Sequence, residues 1–212
     1  MKSRIFLCLT FALAIALSLP AVTQNDLYNN GPTNGNTDAW TINFGFTVSN
    51  SFNLTSESTV QGINFAAWLL PGDILQTAEV SITSREFGGT TYFDQTVSFV
   101  QRDCISNQYA FNVCVETGSL GSGVNLNAGT YYLNLQNASV NTGDPIYWDE
   151  NSGPSLASQN SVGTIPSESF TVLGTANTGT GTGSGSTPEP TNIMLFASGL
   201  LSAAGMFRRK LL

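Results

Sequence analysis

The chain has 212 residues, of which only 10% are charged, and no histidine; an ordinary soluble domain carries about 25% charged residues. Its seven bases include Lys2, Arg4, Arg208, Arg209 and Lys210 at the extremities, so the middle keeps Arg85 and Arg102 against thirteen acids, a net charge of −11. That balance excludes nucleic-acid binding, which needs Lys and Arg to displace counterions, and weakens contact with anionic headgroups.

The first element is Met-Lys-Ser-Arg followed by an apolar run from Ile5 to Leu19, then Pro20 and small residues. A basic start, an apolar core and a small-residue exit read as a secretory signal peptide over residues 1–23. Cleavage after Thr23 fits the small positions Ala21 and Thr23. Cys8 lies within the apolar run and drops out of the fold.

Period-2 alternation then recurs from Asp38 to Leu173, the pattern of half-buried strands. It predicts inward faces at Ile42, Phe44, Phe46 and Val48; at Ile63, Phe65, Ala67 and Leu69; and at Ala78, Val80 and Ile82. Phe93, Val97 and Phe99 follow, then Tyr109, Phe111, Val113 and Val115, with Cys114 and Glu116 on the polar side. Tyr131, Leu133 and Leu135, the pair Ile146 and Trp148, and the pair Phe170 and Val172 complete the set. Turn residues such as Pro71-Gly72-Asp73, Gly88-Gly89 and Gly143-Asp144-Pro145 separate the strands, because glycine and proline supply turn dihedrals. No sustained helical period interrupts residues 24–174. About eight or nine strands, each with one apolar face, must bury those faces against one another. The expected fold is all-β, a jelly-roll-like antiparallel β-sandwich, flanked by the signal peptide and a C-terminal transmembrane helix.

Cys104 and Cys114 are the two cysteines outside the leader. In an exported chain they are expected to pair. The loop closed is about ten residues, worth roughly 2–3 kcal/mol by loop entropy. With Cys114 on the polar side, the bridge should staple a hairpin at the surface. Two thiols without histidine make a poor metal site.

The same lack of histidine, and of lysine between the ends, removes Ser-His-Asp, Cys-His and Schiff-base chemistry. Paired carboxylates alone could do acid–base work. A glycoside hydrolase needs two of them about 5–9.5 Å apart. Asp149 and Glu150 are neighbours that a strand would send to opposite faces; Asp94 with Asp103 is another pairing to weigh. The chain is not expected to be an enzyme. The candidate ligand-binding residues are Tyr147, Trp148, Asp149, Glu150 and Asn151, followed by some sixteen residues without clear period. Aromatics beside carboxylates and amides could stack on a sugar ring, or hold calcium, the only cofactor the composition suggests. The structural alternative places Trp148 in the core with Ile146. Trp68 is a second aromatic candidate, opposite its strand's apolar face; it could equally cover the second sheet.

Residues 175–187 form a Gly/Thr/Ser linker. Pro188-Glu189-Pro190, an apolar segment over 193–207 and Arg208-Arg209-Lys210 close the chain. The apolar segment covers about 22 Å, short of the roughly 30 Å hydrocarbon core. The basic end should stay cytoplasmic, which leaves the β domain outside. These three features in this order resemble the PEP-CTERM sorting signal of Gram-negative bacteria, a segment also labelled the ice-binding-protein C-terminal domain. The resemblance covers residues 188–212. It implies recognition by an exosortase after passage through the export machinery, a membrane contact through the helix before the tail is removed, and a setting rich in extracellular polysaccharide. Ala67 to Asp73, Phe87 to Thr90, Ala128 to Gln136 and Tyr147 to Asn151 with Gly153-Pro154 are similar to an extracytoplasmic domain of such proteins, for which no activity is implied.

The function expected from these features is an exported cell-surface or extracellular-matrix protein with a structural or adhesive β domain. A carbohydrate-binding module, with or without calcium, is the alternative, and a secreted glycoside hydrolase the weaker one.

Overall fold

The computed structural model describes residues 24–177. The signal peptide, most of the linker, the sorting residues Pro188, Glu189, Pro190, Arg208, Arg209 and Lys210, and the apolar segment 193–207 lie outside the described residues.

The described chain is all-β. Its strands are β1 (Asn25–Asn29), β2 (Ala39–Thr41), β3 (Thr47–Leu54), β4 (Ser58–Leu69), β5 (Leu75–Arg85), β6 (Gly88–Ser106) and β7 (Asn112–Leu126). They continue as β8 (Gly129–Val140), β9 (Tyr147–Asn151), β10 (Ala157–Gln159), β11 (Gly163–Ile165), β12 (Ser167–Glu168) and β13 (Phe170–Ala176). Every pairing is antiparallel. The order along the curled sheet is β1-β13-β4-β7-β6-β5-β8-β3-β10-β11, and β9 joins β2, β4 and β12 off that path.

The curl turns on β6. Its first half, up to Ser98, pairs with β5, while Phe99 to Ser106 pair with β7. One strand thus belongs to two layers. The β4 layer and the β8 layer then face each other as a sandwich, because both carry an apolar face that must leave water. Ile63, Phe65, Ala67 and Leu69 of β4 meet Ala78, Val80 and Ile82 of β5 and Leu133 and Leu135 of β8 in one core. A chain of edge-on aromatic contacts crosses it: Phe99 to Phe65 at 5.3 Å, Phe65 to Trp148 at 5.9 Å, and Trp148 to Phe170 at 5.6 Å. Such pairs prefer tilted packing because ring edges are positive and faces negative.

Three expectations need correction. The run from Ile42 to Val48 is not one strand: β2 ends at Thr41, residues 42–46 form a turn, and β3 begins only at Thr47. Phe44 and Gly45 take positive φ, Phe46 N–H closes a turn on the Asn43 carbonyl, and Phe44 is exposed. The face of β7 is inverted: Cys114 and Glu116 point into the core, Tyr109 lies exposed before the strand begins, and Val113 faces outward. Alternation misled here because both faces of β7 are covered, so apolar character no longer marks one side. The stretch after Asn151 is not structureless: β10 pairs with β3 and β11, and β12 with β9. The strand count rises to thirteen mainly through such short pieces.

Cys104 and Cys114 are bridged, with Cα atoms 4.1 Å apart, and link β6 to β7. The hairpin staple stands, but only Cys104 is at the surface; Cys114 is fully buried.

Candidate functional site

The residues from Tyr147 to Asn151 are brought together as an interior strand. Trp148 and Asp149 are 0% exposed, and Glu150 and Asn151 are also buried. Each fastens a different neighbour. Trp148 sits in the core and donates its indole N–H to the Ser169 carbonyl at 2.9 Å. Asn151 donates to the carbonyls of Asn30 (2.8 Å) and Pro32 (3.2 Å). Glu150 accepts the Trp40 indole N–H at 3.1 Å.

Asp149 faces the other way. Its carboxylate accepts the Trp68 indole N–H (2.6 Å) and the backbone N–H groups of Asn34 (2.7 Å) and Gly35 (2.8 Å). These bonds pin the segment between β1 and β2 onto the outer side of the β4 layer. Gly35 has φ +67 and packs where a Cβ would press Val113 at 3.2 Å, so the approach requires glycine. Burial raises the Asp149 pKa, and the three donated hydrogen bonds oppose that rise. Trp68 is buried under this cover, with Tyr109 stacked on it at 5.7 Å.

A pairing that sequence spacing hides also appears. Glu168 of β12 stands directly opposite Glu150 of β9. Both Glu168 oxygens are buried without a partner. Burial, and then the charges of Glu150, Asp149 and Asp38, push its pKa well up. Glu116 is a second such acid: it stands opposite Phe65 of β4, is fully buried without a hydrogen-bond partner, and burial pushes its pKa up to about 8. Among the described residues, no group of three or more acids or cysteines is placed to hold a metal ion. Asp94 and Asp103 stand on different pairings of β6: Asp94 is opposite Ser81 of β5, and Asp103 lies in the bulge of the β6–β7 register.

The open surface is elsewhere, on the outer face of the β8 layer. Cross-strand register assembles rows there. Asp94, Ser81, Asn134, Ser49 and Ser158 form one row across β6, β5, β8, β3 and β10, exposed at Asp94, half-exposed at Ser81 and buried at the other three. Thr96, Glu79, Gln136 and Thr47 form the next. Over these rows runs a groove of about 310 Å³, with Phe87 and Asn160 among its lining residues. Asn134 is fixed by donating to Ser81 Oγ (3.1 Å) and Thr83 Oγ1 (2.9 Å), and its Oδ1 accepts Phe87 N–H at 3.3 Å. Gln136 is held between the Thr47 hydroxyl and Glu79 Oε1, both at 2.7 Å. Sequence reasoning missed this face because outward Ser, Thr, Asn and Gln look like plain solvated positions. The available signal was the recurrence of uncharged polar residues at Thr47, Ser49, Ser81, Asn134 and Gln136, opposite the apolar face of each strand.

No family model matches the chain. No curated protein matches it either.

Proposed function

We propose that the chain is an exported protein of the cell surface or extracellular matrix, with a β domain that is structural or adhesive and performs no catalysis. The observation that carries this reading is the Cys104–Cys114 bridge in a domain free of histidine and lysine, behind a leader-like N-terminus. A disulfide persists in an oxidising compartment. The C-terminal resemblance extends the proposal to a Gram-negative host, an inner-membrane stage and an exosortase partner. The sandwich is read as jelly-roll-like: β1-β13-β4-β7 and β3-β8-β5-β6 are the pairing orders that support it.

The test is fractionation of the native host with an antibody to the domain, together with deletion of the gene. The chain is expected in the envelope or medium without residues 1–23, and the matrix is expected to change. A cytosolic chain that keeps those residues would overturn the reading.

One observation favours the carbohydrate-binding alternative: the groove on the β8 layer, lined by hydroxyls and amides with one acid, Asp94. Calcium assistance through Asp149 and Glu150 would need both carboxylates on one ion, and they face opposite sides of β9.

A further inference from the structure

We propose that the outer face of β3, β8, β5 and β6 binds a neutral polysaccharide chain, with Phe87 as its stacking platform. The inference deepens the adhesive reading above and rests on it for its biology, though not for its chemistry. The groove is lined by Thr47, Ser81, Thr83, Thr91, Asn134 and Gln136, with Asp94 its single acidic side chain. Asn134 and Thr83 are buried in its floor, while Thr47, Ser81, Thr91, Gln136 and Asn160 remain accessible; such hydroxyls and amides match the repeating hydroxyls of a glycan, each able to donate and accept.

Other occupants fit poorly. Without lysine or arginine in the lining, and with −11 on the domain, an anionic glycan or nucleic acid meets repulsion. A protein partner would want a cluster of apolar anchors at the centre, and Phe87 is the only large apolar side chain in the lining. A floor of amides already locked by neighbours loses little freedom when a ligand lands, which favours affinity.

Phe87 itself is the telling residue. It lies at the β5–β6 turn, 43% exposed, with φ 53. A bulky side chain is uncommon in that left-handed region, and glycine would adopt it without strain. The structure nonetheless holds an aromatic there, outside the core, by the bond from its N–H to Asn134. Strained residues collect at ligand sites because local stability does not select them. An exposed ring beside hydroxyl rows is how a protein meets the apolar face of a sugar.

The experiment is affinity electrophoresis and calorimetry of the processed full chain. The probes are soluble xyloglucan, mixed-linkage β-glucan, galactomannan, xylan and dextran, with alginate and polygalacturonate as anionic probes. Binding is expected to at least one neutral polymer and to neither anionic one, unchanged by EDTA or salt. Phe87→Gly is expected to weaken it about tenfold, and Asp94→Ala to weaken it measurably. Phe87→Gly suits the local backbone, and its unfolding midpoint reports that the fold is kept. Absence of binding to every neutral polymer, preference for an anionic one, or affinity untouched by both substitutions would each overturn the proposal. Failure here leaves the cellular location standing, and a cytosolic location would leave a measured affinity standing.

Discussion

The outer faces of the two layers carry similar alternation in sequence and end in opposite states. On the β4 layer, the outward Ala66, Trp68 and Val113 form a small second core beneath Phe111 and Tyr147, and Asp149 clamps the Asn34–Gly35 segment beside it. On the β8 layer, the outward Ser81 and Gln136 stay half-exposed in an open groove, with Asn134 buried beneath the Phe87 turn. The difference teaches that strand alternation tells which residues share a face, not which face meets water. What covers a face comes from loops distant in sequence.

If the covered face depends on its clamp, Asp149→Ala should have the largest effect. It strands one indole N–H and two backbone N–H groups, and a loss of about 3 kcal/mol is expected in urea unfolding. An unchanged midpoint would mean that the cover is held by something else.

Glu116 tests the interior between the layers. Its pKa is raised, so the native state keeps a proton that the unfolded chain loses from about pH 4.5 upward. Stability from this group is therefore greatest in acid and falls as pH rises towards about 8. Glu168 acts in the same direction. At pH 7 the cost at Glu116 is about 3 kcal/mol, from 1.36 kcal/mol per pH unit. Glu116→Gln is expected to flatten the pH–stability curve and to stabilise the protein more at pH 8 than at pH 5. An equal gain at both would place the carboxylate in contact with water.

Cys104→Ser with Cys114→Ser opens a ten-residue separation and should cost about 2–3 kcal/mol, read as a lower urea midpoint. The smallest effect belongs to the open face. Thr96→Lys should move stability by less than about 0.5 kcal/mol, because Thr96 is exposed. A larger loss would show that this face is covered too.

The sandwich class was legible because β4, β5 and β8 each bury one face cleanly, and Ile63, Val80 and Leu133 are all fully buried where alternation placed them. The β7 face was not, because its outward Val113 is as sheltered as its inward Cys114. The break at Phe44 was hidden by an aromatic in a turn that glycine or asparagine usually marks. The site was less legible than the fold. Trp148-Asp149-Glu150 has the composition of a binding motif, but partners as far away as Asn34 and Trp68 turn it inward. The rows on the β8 layer exist only through register between five strands, which no local window contains.

The chain's three tryptophans, Trp40, Trp68 and Trp148, all report on the strand that contains Asp149 or its partners. Acrylamide quenching of their fluorescence reads that burial directly, and a neutral quencher avoids repulsion by the acidic surface. The native chain should be quenched only weakly and should reach full quenching in urea. Quenching of the native chain as strong as in urea would put Trp68 and Trp148 in an open groove and reverse the assignment of the two faces.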